Sequence, residues 1–145
     1  MIKVTKAAPS DADALSLLEQ KYIPCPWSKE QLAGAIEDER YLVLVVRDST
    51  SNAVAYGGVS FALDEAEIGN IVTDEKCRRL GYAEKILDRI IDECSKKGVK
   101  RIFLEVAENN EAAKALYAKK GFQKISVRKN YYPGGVSANI MERKL

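Results

Sequence analysis

"GNIVTDEKCRRLGYAEKILDRIIDEC", Gly69 to Cys94, holds the tail of a strand, a loop with one interior glycine, and a strongly periodic helix. Ile86, Leu87, Ile90, Ile91 and Cys94 form a broad apolar stripe that has to lie on another layer of structure. Lys96-Lys97-Gly98 ends the helix with charge suited to its C-terminal dipole and with a glycine stop. The start of the helix has free backbone N–H groups and a positive dipole end, which attract anions. Gly81 admits a close backbone approach, Ala83 keeps the next turn narrow, and Arg78 and Arg79 add charge. Two readings stand on this pattern: a cradle for a phosphate group, or an ordinary loop leading into a surface helix. Neither G-x-x-x-x-G-K-[ST] nor G-x-G-x-x-G occurs, so the sequence has no P-loop and no support for a Rossmann dinucleotide site.

Before this stretch, Ile2 to Ala7 reads as a strand and Ser10-x-x-Asp13 as a capping signal for a helix over Asp11 to Tyr22, with Leu15, Leu18 and Tyr22 at helical spacing. Pro24 and Pro26 break that helix, and Ser28 with Gln31 forms a capping box for the next. Tyr41 to Arg47, Ala53 to Leu63 and Ala66 to Thr73 read as three strands of an antiparallel meander. After the helix Gly81 to Lys97, Lys100 to Ala107 is a strand and Asn110 to Lys120 a helix. Phe122 to Tyr131 and Val136 to Arg143 are the last strands, joined through Pro133-Gly134-Gly135. The order β-α-α-β-β-β-α-β-α-β-β predicts a mixed α/β (α+β) domain over residues 1–145, without repeat or linker.

Composition narrows the chemistry. With 23 Lys and Arg against 21 Asp and Glu, the net charge of +2 implies no strong field for nucleic acid or for a membrane surface. The apolar run Leu42 to Val46 is too short to span a bilayer, and the first residues lack the apolar stretch of a signal peptide. Three scattered cysteines, Cys25, Cys77 and Cys94, with no C-x-x-C, point away from zinc and disulfide scaffolds and toward a reduced, cytoplasmic setting. Histidine is absent, which removes the commonest general base, the Ser–His and Cys–His pairs and most catalytic zinc sites. No metal is expected, and any proton transfer falls to carboxylate, phenol, lysine, cysteine or water.

Glu105 is one such carboxylate. In "RIFLEVA", alternation puts Ile102, Leu104 and Val106 on one face and Phe103, Glu105 and Ala107 on the other. An acid flanked by apolar neighbours in a central strand is poised as a base, or else serves a structural hydrogen bond. Tyr117 lies on the following helix, one turn after Ala113, where core packing is the plain reading. "RKNYYP", Arg128 to Pro133, joins positive charge, paired aromatics and a turn; it suits a substrate-gripping loop, base stacking on RNA or simple strand packing.

Arg78-x-x-Gly81-x-Ala83 resembles the acyl-CoA pyrophosphate motif of the GNAT N-acetyltransferase superfamily. "GNIVTDEKCRRLGYAEKIL", "FLEVAENNEAAKALYAKKGF" and "RKNYYP" lie in family order and resemble the bacterial ribosomal-protein-alanine N-acetyltransferases (RimI-type); "PWSKEQL", Pro26 to Leu32, resembles that family's early segment, so the similarity covers nearly the whole chain. The resemblance implies the GNAT fold: a mixed, mostly antiparallel sheet, flanked by about four helices, whose central strands Ala66 to Thr73 and Lys100 to Ala107 splay apart. It implies acetyl-CoA in that cleft, with the backbone of Ile71, Val72 and Thr73 along the pantetheine arm. The N–H groups of Arg79, Leu80, Gly81, Tyr82, Ala83 and Glu84 would hold the pyrophosphate, and Asn110 would touch the cofactor. Glu105 matches the family's general base, with Glu67 as the rival carboxylate, and Tyr117 matches its general acid. Tyr131 and Tyr132 would line a slot for the acceptor, the N-terminal amine of a protein, an alanine of a small-subunit ribosomal protein. No nucleic acid or membrane partner is implied, and the chain is expected to be a monomer or weak dimer.

A small amine, polyamine or lysine side chain is the alternative acceptor, and a CoA-binding or ribosome-associated module without turnover is the non-enzymatic alternative. The chain departs from the family pattern at Ala83, Ala107 and Asn109 and in the "SANIM" segment, Ser137 to Met141, near the acceptor loop.

Overall fold

A computed structural model describes residues 2–145. The elements run β1 (Val4–Lys6), α1 (Ala12–Tyr22), α2 (Lys29–Glu37), β2 (Tyr41–Arg47), β3 (Ala53–Ala62), β4 (Glu65–Thr73), α3 (Tyr82–Lys96), β5 (Arg101–Ala107), α4 (Glu111–Lys119), β6 (Gln123–Arg128) and β7 (Ala138–Lys144). One sheet carries all seven strands in the order β1-β2-β3-β4-β5-β7-β6, and every pairing is antiparallel except β4 with β5. The four α-helices follow the expected order of elements, and the mixed, mostly antiparallel sheet is the one the resemblance implied.

Both faces of the sheet are covered, which is why β2 reads as a nearly unbroken apolar run. Leu42, Leu44 and Val46 face one core together with α3, while Val43 and Val45 face a second core under α1 and α2. On α3, Ile86, Leu87, Ile90 and Cys94 are fully buried, and removing each large apolar side chain from water is worth about 1.5–3 kcal/mol. They lie so close to the sheet that a Cβ on Gly57 would meet Ile86 Cγ2 at 2.6 Å.

Two irregularities shape the middle of the sheet. Gly57 of β3 opposes Ile71 of β4 and Val59 opposes Ile68, so Gly69 and Asn70 together stand opposite Gly58 as a bulge in β4. Beyond that point β4 also leaves β5: the parallel pairing runs only from Glu65↔Arg101 to Ile68↔Leu104. Past the last pair the two strands diverge, and the edge of β4 that faces β5 is left without a strand partner.

Local details differ from the sequence expectations. The first strand is only Val4–Lys6, and the turn before α1 is a 3-10 turn, Pro9–Asp11. Ser10 and Asp13 do not cap it. Asp11 Oδ2 accepts from Ala8 N at 2.7 Å and from Arg47 Nη2 at 2.6 Å, an ion pair to the end of β2 that local spacing could not reveal. Asp13 pairs instead with Lys29, at 3.3 Å. The Ser28–Gln31 capping box forms with both hydrogen bonds. β6 stops at Arg128, short of the expected Tyr131, because the chain turns at Asn130 with φ 53° and frees both tyrosines from the strand.

Candidate active site

The cleft opened by the splay has two ends on opposite faces of the sheet. Ile102, Leu104 and Val106 of β5 point into the core shared with α3 and Tyr117. Glu105 alternates to the other face, where Glu67 also lies through its register with Phe103.

On the α3 side a groove of about 670 Å³ is lined by Ile71, Val72, Thr73, Arg78, Arg79, Gly81, Tyr82, Ala83, Glu84, Asn110 and Tyr117, among others. The sequence-predicted cofactor residues therefore converge, apart from Leu80, which is 55% exposed and outside the lining. The loop is held open by its own backbone: Arg79 has φ 66° and Gly81 φ 84°, both left-handed. Gly81 is the N-cap of α3 and supplies no side-chain acceptor, so the first-turn N–H groups face the groove uncapped.

Arg78 braces this loop. Its Nε donates to Thr73 O at 3.3 Å, and its guanidinium carbon lies 4.8 Å from the centroid of the Tyr22 ring. The Tyr22 hydroxyl donates to Asp74 Oδ1 at 3.1 Å and accepts from Glu75 N at 3.0 Å, a brace from α1 that the sequence did not announce. Glu84 meets Lys119 Nζ at 2.9 Å, and the lysine hydrogen bond is the first cause holding its carboxyl below the usual range. Asn110 Oδ1 caps α4 by accepting from Ala113 N at 3.2 Å, while its residue lines the groove.

Tyr117 sits at the floor of the groove, 8% exposed and edge-on to Phe122 at 5.8 Å between ring centroids. Burial first, and then the nearby Tyr132, push its hydroxyl up to about 12.

On the other face a pocket of about 520 Å³ is lined by Glu67, Glu105, Tyr131, Tyr132, Trp27, Cys25 and the bulge residues Gly69 and Asn70, with Ile23, Pro24, Ile68 and Pro133 completing it. Glu105 is not flanked by apolar side chains alone, as its strand neighbours suggested. Arg128 Nη1 stands 3.3 Å from its Oε1, and Tyr131 lies beside the same carboxylate in the pocket wall. The Glu105 carboxylate is the first cause raising Tyr131 above its ordinary range. Arg128 also covers the Tyr131 ring at 5.5 Å, and the Tyr131 and Tyr132 rings meet edge-on at 5.0 Å. Tyr132 lines this pocket, and burial first, then Glu105, raise its hydroxyl above the ordinary range. Glu67 is exposed in the same pocket. Trp27 and Asn70 are walls that the sequence reading did not single out. Among the described residues no cluster of three or more His, Cys, Asp or Glu side chains could hold a metal ion.

Residues 11–122 match the acetyltransferase (GNAT) family. The chain is 35% identical over 133 residues to the ribosomal protein bS18-alanine N-acetyltransferase of Escherichia coli (strain K12), covering 92% of this chain and 88% of that protein. The enzyme of the same name from Haemophilus ducreyi is 35% identical over 123 residues, covering 85% of this chain and 83% of that protein. The crystal structure of the ribosomal-protein-S18-alanine N-acetyltransferase from Escherichia coli superposes with a TM-score of 0.90 at 34% identity, covering 99% of this chain and 94% of that one.

Proposed function

The chain belongs to the acetyltransferase (GNAT) family, and from that membership we propose that it transfers the acetyl group of acetyl-CoA to the N-terminal amine of a protein, an alanine at the start of a small-subunit ribosomal protein. The observation that carries this reading is the divergence of β4 and β5 after Ile68↔Leu104, which joins a groove with uncapped N–H groups to a pocket holding a carboxylate. The residues fit the co-substrate. The unpaired edge of β4 at Ile71, Val72 and Thr73 offers backbone donors and acceptors along a pantetheine arm. The α3 start offers N–H groups to a pyrophosphate, with Arg79 and Gly81 in the left-handed conformation that shapes the loop.

Acetyl-CoA supplies a thioester, and the side chains supply proton handling. An N-terminal amine has a pKa of about 8 and must lose a proton to attack. Glu105, directly or through water, takes that proton on the acceptor face. A new C–N bond forms as the C–S bond breaks, and Tyr117, still protonated at neutral pH, donates to the departing sulfur. Transfer is direct, within a ternary complex, without a covalent enzyme intermediate. Tyr131 and Tyr132 border the path of the acceptor chain, and Arg128 keeps the Glu105 carboxylate oriented.

A panel of peptides with free N-termini, set beside small amines and polyamines, tests the proposal with acetyl-CoA as donor. Ala-starting peptides are the expected acceptors. Transfer to polyamines and to no peptide would overturn the acceptor assignment. Tight acetyl-CoA binding without turnover on any amine would favour the binding module.

A further inference from the structure

Glu19 on α1 has no exposed surface, yet all of its hydrogen-bond partners are neutral. Its Oε1 accepts from Trp27 N at 2.9 Å, and its two oxygens accept from Asn70 Nδ2 at 3.2 and 3.0 Å. The buried Tyr56 hydroxyl is within hydrogen-bonding reach of the same carboxylate and of Asn70. A buried carboxylate with no cation beside it is expensive, and an apolar residue at that place would serve packing better. What it joins is therefore informative. Trp27 belongs to the α1–α2 connection, which forms one wall of the acceptor pocket. Asn70 is the second residue of the β4 bulge, where the acceptor pocket meets the splay.

We propose that Glu19 is a positioning residue that ties the α1–α2 connection to the β4 bulge and so sets the shape of the acceptor pocket. It touches neither acceptor nor acetyl-CoA. It acts through Trp27 and Asn70, and the inference rests on reading that pocket as the acceptor site.

Reversing the polarity of the bond tests it. Asn70→Asp sets two carboxylates against each other; the acceptor KM should rise about tenfold or more while the acetyl-CoA Kd stays within about twofold. Glu19→Gln alone should be milder, about threefold in acceptor KM, because the Asn70 amide can turn and accept from the new amide. In the double variant Glu19→Gln/Asn70→Asp, the glutamine can accept from Trp27 N and donate to the aspartate, and the acceptor KM should return to within about threefold of the parent. Trp27 is the only tryptophan, so its quenching by acrylamide reads the position of the wall without any acceptor. Quenching should rise in Asn70→Asp and fall back in the double variant.

An unchanged acceptor KM in Asn70→Asp, or a double variant no better than that single one, would overturn the inference. So would equal losses toward both substrates in step with thermal stability, which mark a purely structural role. If Asn70→Asp does not fold, Asn70→Ala keeps the bond to Trp27 N, and the same selective rise in acceptor KM is required of it. If no peptide is acetylated but a small amine is, the acceptor proposal fails; KM for that amine and Trp27 quenching still decide the role of Glu19.

Discussion

At the residue scale, the two carboxylates of the pocket lined by Trp27, Tyr131 and Tyr132 can be separated. Glu105 is ion-paired with Arg128 beside Tyr131, whereas Glu67 is exposed in the same pocket. Glu105→Gln should lower kcat by about 10²–10⁴, the usual worth of a positioned acid–base group. Glu67→Gln should change it by less than about tenfold. Steady-state kinetics at saturating acetyl-CoA measures both, and loss of turnover in Glu67→Gln alone would reverse the assignment. Tyr117→Phe should lower kcat by about 10² with acetyl-CoA affinity retained. Since burial pushes the Tyr117 hydroxyl up to about 12, it keeps its proton through about pH 10, the unfolded value. The stability linked to this burial is therefore complete below about pH 10 and is lost as pH rises toward about 12. Urea midpoints should fall over that window in the parent and fall less in Tyr117→Phe. Strand alternation drew notice to Glu105, while Tyr117 read as core packing and received its proposed role only from the family resemblance. Glu19 left a fainter signal: it occupies the stripe of Leu15, Leu18 and Tyr22, where an acid at a buried helical position is out of pattern.

At the element scale, the joints between layers are the sensitive points. Gly57 lies under α3, and its missing side chain is what lets Ile86 approach β3. Gly57→Ala should cost roughly 1–3 kcal/mol as overpacking, read as a lower denaturation midpoint, with the start of α3 shifted away from the groove. Asp11 ties the 3-10 turn before α1 to β2 through Arg47, and that hydrogen bond is the first cause lowering its carboxyl. Its folded value lies below the unfolded one, so the linked stability is present above about pH 4 and is lost as pH falls. Asp11→Asn should cost about 1–3 kcal/mol at neutral pH and should flatten the acid side of a stability–pH profile; an unchanged profile would argue against the clamp. Element types and order were readable from periodicity. Ends were less so, because hydrogen-bond partners distant in sequence decide them: Asp11 and Arg47 at the start of α1, and the turn at Asn130 that shortens β6.

At the scale of the whole molecule, the groove along β4, α3 and α4 should act as a stabilising joint when it is filled. Acetyl-CoA at about 100 times its Kd should add about 2.7 kcal/mol, raising Tm by roughly 5–10 °C. Hydrogen exchange should slow at the first turn of α3 and along Ile71 to Thr73. Protection confined to other segments would contradict the groove as the CoA site. By itself the sequence determined the type and order of the elements, the helix stripe from Ile86 to Cys94 and the glycine at the start of α3, since each follows from periodicity and local backbone preference. Only the tertiary structure decided where β4 and β5 part, that Glu105 shares its pocket with Glu67, how Arg128 reaches it, and why Glu19 is buried. Those features depend on pairings between residues tens of positions apart, which hydrophobic spacing along one chain does not encode.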